Sequence, residues 1–253
     1  MKLCTAHVQS ICWTDRYAGT SKKDSKKLGL EHKCLRDGII QSRPDLNIVY
    51  VSESFQGNRE VFGDDYIFLI PTAKVVANNL QIPYETMTNP IVYISLGSII
   101  SNKGFCKECI RAFGNTEFSV ILNTGKVSPD SLGEIPKNIH AYSFVSQIEV
   151  LTYTDVFLTH CGMNSVNEAM SLAVPMVAMP FLNDQLTNAK RIVELGLGKR
   201  VHSFPSRGKE LYETVRSVYA DKSIKRNVMQ LQNAIRNQIT WDTVIERIEN
   251  LIK

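Results

Sequence analysis

The chain has 253 residues, 43% hydrophobic and 21% charged, the make-up of an ordinary globular protein with room for one large domain or one domain plus a fragment of another. A formal charge of +4 suits a nucleotide diphosphate but is far too small to argue for nucleic acid, and no apolar run approaches the roughly 18 residues that a membrane span requires. Six cysteines, at positions 4, 12, 34, 106, 109 and 161, form no regular framework, which fits reduced thiols; with no signal-peptide pattern at the start, a cytoplasmic location is expected.

In chain order, residues 1–42 are the least readable. The basic run SKKDSKK at 21–27 is expected to be solvent-exposed, and His7 and His32 have no polar neighbours converging on them. From 43 to 90 the pattern sharpens. Residues 46–51 read as a strand, 55–57 as a turn, 66–70 as a second strand stopped by Pro71, and 73–90 as a linker ending in prolines. A hairpin packed on the following domain accounts for the two strands equally well.

Residues 91–253 alternate strand, turn and helix. Strands are expected at 91–96, 119–123, 139–144, 155–159, 175–179 and 199–203, and the continuous apolar run 91–96 lacks the alternation of a half-exposed strand, so both sheet faces should be covered. Helices are expected at 103–113, 147–151, 164–172, 184–194, 211–219, 223–238 and 241–252, the last burying Val244, Ile245, Ile248 and Leu251. This predicts an α/β, Rossmann-like, doubly wound parallel sheet. Cys106 and Cys109 form a CxxC with no second pair at zinc-site spacing, and read as two cysteines on one helix face. The TGK at 124–126 lacks the upstream glycine of a phosphate-binding loop.

Residues 144–188 organise the rest. Two apolar runs, 155–159 and 175–179, are each followed at once by polar residues that open an amphipathic segment. In a parallel sheet those strand ends form the crevice where ligands bind. His160, Asn164, Ser165, Glu168, Asp184 and Gln185 gather there. A helix starting near Asn164 aims free N–H groups and its positive dipole end at an anion in that crevice, with His160 as a phosphate neighbour and Glu168 as a hydroxyl acceptor. Taken singly, a glutamate near a helix start serves equally as a cap, and Phe144 at the end of a strand equally as core.

These residues resemble the nucleotide-sugar-dependent glycosyltransferases of the two-Rossmann-domain (GT-B) type, the UDP-glycosyltransferases of glycosyltransferase family 1. Within them the chain looks most like the macrolide and natural-product enzymes. The resemblance rests on HCGMNS at 160–165, then Glu168, Pro175, Pro180, Asp184, Gln185 and Asn188. It continues backwards through 144–151 to 91–98 and forwards through 191–198, and is weak before residue 47.

It implies that 91–253 is the C-terminal donor domain and 43–90 a short remnant of the N-terminal acceptor domain. The implied reaction is transfer of a hexosyl group, with inversion, from a UDP-sugar or dTDP-sugar to a hydroxyl of a small-molecule acceptor. It needs no cofactor, and nothing in the pattern calls for a metal. The implied donor contacts are Gly97 and Ser98 at the first strand end; Phe144 stacking on the base; Gln147 at the base or ribose; His160, Gly162, Asn164 and Ser165 at the diphosphate; Glu168 on the ribose hydroxyls; and Asp184 and Gln185 on the sugar.

The catalytic base of such enzymes lies in the acceptor domain, and the context of His7 does not match it, so no catalytic residue is assigned. The first forty residues are too few to build a Rossmann unit. The expected explanations are a truncated product, a partner chain supplying the acceptor half, or a non-catalytic nucleotide-sugar-binding or protein-interaction module.

Overall fold

The computed structural model of the protein describes residues 45–70, 80–87, 90–97, 102–182, 184–201, 208–237 and 240–252. Residues 1–44 with His7 and His32, much of the expected linker, Ser98, and the end of the expected strand at 199–203 lie outside the described residues.

Two short strands come first, β1 (Asn47–Val49) and β2 (Tyr66–Phe68). They pair in parallel, with Asn47 opposite Tyr66, which rules out a hairpin between them. Six more follow: β3 (Ile91–Ser95), β4 (Ser119–Asn123), β5 (Ile139–Tyr142), β6 (Val156–Thr159), β7 (Met176–Ala178) and β8 (Gly198–Arg200). They form one sheet in the order β5-β4-β3-β6-β7-β8, with every pairing parallel. The chain winds outward from β3 to β5, then returns to the other side of β3 and winds outward again. That reversal defines a doubly wound sheet and places its switch point between β3 and β6.

The helices are α1 (Lys103–Phe113), α2 (Gln147–Thr152), α3 (Met163–Ser171), α4 (Asp184–Glu194), α5 (Gly208–Ala220), α6 (Lys222–Arg236) and α7 (Trp241–Ile252). Successive strand residues face opposite layers. Val92 and Ile94 pack with Phe105, Cys109 and Phe113 of α1 and Leu211, Val215 and Val218 of α5. Ile91 and Tyr93 pack with Val150 of α2, Val166 and Met170 of α3, Ile192 of α4 and Val228 of α6. Both faces are thus covered, as the unalternating strands require. Local chemistry sets the helix starts: the Asn102 side chain accepts from Phe105 N at 2.9 Å, and Asp221 accepts from Ser223 N and Ile224 N. Cys106 and Cys109 are both buried on α1, and burial pushes both thiols up.

The strands expected at 46–51 and 66–70 are shorter, Asn47–Val49 and Tyr66–Phe68, and two further expectations need correction. The strand expected at 139–144 stops at Tyr142, because its partner β4 ends at Asn123, directly opposite. Of the four α7 residues expected to be buried, only Val244 is; Ile245, Ile248 and Leu251 stay 51%, 39% and 54% exposed. Among the described residues the surface under α7 is a sheet two short strands wide, and it covers a single line of side chains: Val244 packs on Ile67 and Leu69.

The strand pair is joined to the large sheet's helical layer by hydrogen bonds and by packing. Asn167 Nδ2 of α3 donates to Tyr50 O at 3.0 Å, and Arg191 Nε of α4 donates to Phe55 O at 2.8 Å. Val51, Phe55 and Phe68 share a core cluster with Tyr93 and Phe157.

Gly198 faces Met176 across the β7–β8 pairing so closely that an added Cβ would lie 1.8 Å from the Met176 carbonyl oxygen. Gly198→Ala is therefore expected to cost about 1–3 kcal/mol by overpacking, seen as a lower urea midpoint at unchanged slope. Gly57→Ala, with open space around the new methyl, should leave the midpoint nearly where it was.

Candidate functional site

The loop from β6 into α3 is built from residues 160–162. Cys161 adopts a left-handed φ of 67°, unusual for a residue with a Cβ, and two hydrogen bonds hold it there. Its N–H donates to Thr159 Oγ1 at 3.2 Å, and its carbonyl accepts from Asn188 Nδ2 at 2.9 Å. Burial pushes the Cys161 thiol up to about 12, which makes it a packing group. Gly162 is the N-cap of α3 and offers no side-chain cap, so the first-turn N–H groups keep their outward dipole uncompensated.

His160 stands between two glycines. A Cβ on Gly97 would lie 2.6 Å from its Cε1, and one on Gly162 would lie 2.5 Å from its Nε2. Both positions must lack a side chain for the ring to sit where it does. His160 Nδ1 is buried and finds no partner among the described residues. Burial lowers the His160 pKa and the Asp184 charge partly offsets this, so the imidazole is neutral at neutral pH.

On the far wall, Gln147 opens α2 beside Phe144. Gln147 Nε2 donates to Ser165 Oγ at 3.1 Å and to Glu168 Oε2 at 2.5 Å, and Gln147 Oε1 accepts from Tyr93 Oη at 3.3 Å. Burial raises the Glu168 pKa, and the Gln147 hydrogen bond opposes the rise. Glu168 sits beyond the first turn of α3, and its carboxylate takes Gln147 as partner, which sets aside the capping role. Phe144 is 66% exposed at the rim, which sets aside the core role.

These groups surround an open cavity of about 590 Å³ at the carboxyl ends of β3, β4, β5 and β6. It brings together seven of the expected residues: Gly97, Phe144, Gln147, His160, Gly162, Asn164 and Ser165. Glu168 joins them through Gln147. Asp184 acts on His160 electrostatically and contacts Asn188. The Gln185 oxygen is turned inward, accepting from the N–H groups of Phe181 and Leu182 ahead of its own helix. Ser98 lies outside the described residues.

Sequence reasoning missed Ser95, Asn123, Gly125 and Ser143, which also line the cavity. Each lies at or just past the carboxyl end of a strand, and the switch-point rule applied to all the inner strands would have found them. Among the described residues no helix is long and apolar enough to cross a membrane, and no three metal-binding side chains cluster.

The family pattern of UDP-glucoronosyl and UDP-glucosyl transferases matches residues 73–240. The chain belongs to this family. Among its relatives is the NDP-glycosyltransferase YjiC of Bacillus subtilis, 33% identical over 210 residues that make up 82% of this chain and 54% of the relative. The calicheamicin glycosyltransferase CalG4 superposes with a TM-score of 0.75 at 26% identity, covering 90% of this chain and 58% of its own. Os79 from O. sativa, solved in complex with UDP, matches at a TM-score of 0.53 and 26% identity, over 59% of this chain and 37% of its own. The chain thus spans about half the length of the curated family members it matches. Its six-stranded parallel sheet corresponds to half of a GT-B glycosyltransferase.

The depressed pKa of His160 has a consequence for stability. The unfolded chain takes up this proton near pH 6.5, before the folded one does, so stability falls as pH drops below about 6.5 toward the folded pKa. His160→Asn should remove that component. Urea midpoints at about pH 7.5 and pH 5 are expected to fall further for the wild type than for the variant, with His140 contributing equally to both.

Proposed function

We propose that the chain binds a nucleoside diphosphate sugar, UDP- or dTDP-linked, and acts as the donor side of hexosyl transfer to a hydroxyl of a small-molecule acceptor. The observation that carries this reading is the uncapped start of α3 opening on the same cavity as His160, which is seated between Gly97 and Gly162. Helix N–H groups and a neutral imidazole form a site for a diphosphate. UDP bound to a related fold in Os79 supports the same assignment.

In this reading Phe144 stacks on the base, Gln147 and Glu168 take the ribose, and Asp184 faces the sugar. The acceptor oxygen attacks the anomeric carbon, the bond from that carbon to the diphosphate oxygen breaks, and the acceptor proton passes to a base on the acceptor side. Negative charge grows on the leaving diphosphate, and preorganised donors at 160–165 meet it there. Each is worth about 2–4 kcal/mol, by analogy with oxyanion donors.

Glu168→Ala should weaken UDP binding about tenfold or more, because hydrogen bonds to a charged acceptor are the stronger kind. Free hexose should bind the variant and the wild type alike. Calorimetry checks both, and equal UDP affinities would remove the ribose role.

A second reading is a donor-binding half that works with an acceptor half on another chain, or a binding module without turnover. The chain covers 54–58% of the length of YjiC and CalG4. Incubation with labelled UDP-glucose and a panel of phenolic and sterol acceptors separates the readings. Under the second one, free glucose forms slowly and glycoside scarcely at all. Robust acceptor-dependent glycoside formation by the chain alone would overturn it.

A further inference from the structure

We infer that Tyr93 is a positioning residue of the candidate site: its hydroxyl holds the oxygen end of the Gln147 amide and, through that amide, steadies the carboxylate of Glu168. The inference rests on reading the cavity as a nucleotide site. Tyr93 lies in the middle of β3, fully buried, its ring stacked on Phe157 at 4.9 Å. Phenylalanine would fill this place without burying a hydroxyl, a group that costs free energy unless it is partnered. The hydroxyl donates to Gln147 Oε1 at 3.3 Å, and the Ser95 and Asn123 side chains also lie within its hydrogen-bonding reach.

An amide has one accepting and one donating end. With Oε1 turned to Tyr93, Nε2 faces the other way, where Ser165 Oγ and Glu168 Oε2 accept from it at 3.1 and 2.5 Å. A flipped amide would set its oxygen against the Glu168 carboxylate, acceptor on acceptor, and turn its NH₂ toward the tyrosine. The Glu168 carboxylate, which can only accept, sets the direction of the amide, and the Tyr93 hydroxyl holds it there by donating to the oxygen end. Glu168 then stays fixed by one oxygen while its remaining lone pairs are free for sugar hydroxyls.

Tyr93 lies within electrostatic reach of Glu168 and of Tyr84, and Tyr84 in turn within reach of Glu149, Tyr142 and Tyr153. Tyr84, Tyr93 and Tyr142 are all pushed further above the neutral range. Removing the Tyr93 hydroxyl leaves Glu149 and His160 in place in every variant compared. The acid limb that the substitution moves is therefore that of Glu168.

The test measures binding of UDP and of 2′,3′-dideoxyuridine diphosphate to the full chain and to Tyr93→Phe, Gln147→Ala and the double variant, with melting curves for each. Tyr93→Phe keeps the ring and its stacking. It is expected to weaken UDP about three- to tenfold, the worth of one hydrogen bond, while leaving the dideoxy nucleotide unchanged. The acid limb of UDP binding should move to higher pH, because a loosened Gln147 no longer stabilises the Glu168 carboxylate. In the Gln147→Ala background the second substitution should add nothing.

The inference is overturned if Tyr93→Phe binds UDP as the wild type does. It is overturned equally if the variant loses both nucleotides to the same degree, or if the two substitutions simply add. A wild type that binds neither nucleotide would overturn the nucleotide reading itself, an outcome visible before any variant is compared.

Discussion

The site depends on how the chain leaves two adjacent parallel strands. From β3 it departs toward the layer holding α1 and α5, and from β6 toward the layer holding α2, α3, α4 and α6. Neighbouring strands whose exits go to opposite faces cannot close over each other, so a crevice opens between their carboxyl ends. Its lining is fixed by the same geometry. Gly97 ends one exit, His160 and Gly162 the other, and the ring fits only because neither glycine carries a side chain. The free end of α3 is then left pointing into the gap.

Electrostatics within the crevice follow from burial more than from charge pairs. His160 is held neutral, Tyr93 is pushed up to about 12, and the Glu168 carboxyl is raised but kept in check by the Gln147 hydrogen bond. A weakly hydrated wall of neutral donors beside one carboxylate distinguishes two ends. One end suits an anion, and the other suits hydroxyl groups.

Much of the fold was legible because parallel strands buried on both faces write continuous apolar runs, and β3, β4 and β6 are buried along nearly their whole length. The candidate site was legible where polar residues follow such runs at once, as at 160–168. Tyr93 was not, because a tyrosine inside an apolar strand reads as one more large hydrophobe, and its hydroxyl partner lies 54 residues away. Gln185 was legible only as a residue type: its oxygen is turned to the backbone of its own loop, which spacing cannot reveal. The α7 stripe misled because periodicity shows that a face is apolar, not how wide the surface beneath it is.

Adjacent residues of α3 serve different neighbours. Asn167 grips the carbonyl of Tyr50, just past β1, and Glu168 holds Gln147, which lines the cavity. One peptide unit therefore links the small sheet to the crevice, and Arg191, reaching Phe55 from α4, reinforces the link. Residues 45–70 and the pocket wall are in this sense a single cooperative unit: the strand pair cannot peel away while α3 keeps its flank intact. Amide protons of β1 and of α3 would then share one opening event and one exchange free energy, although they belong to different sheets.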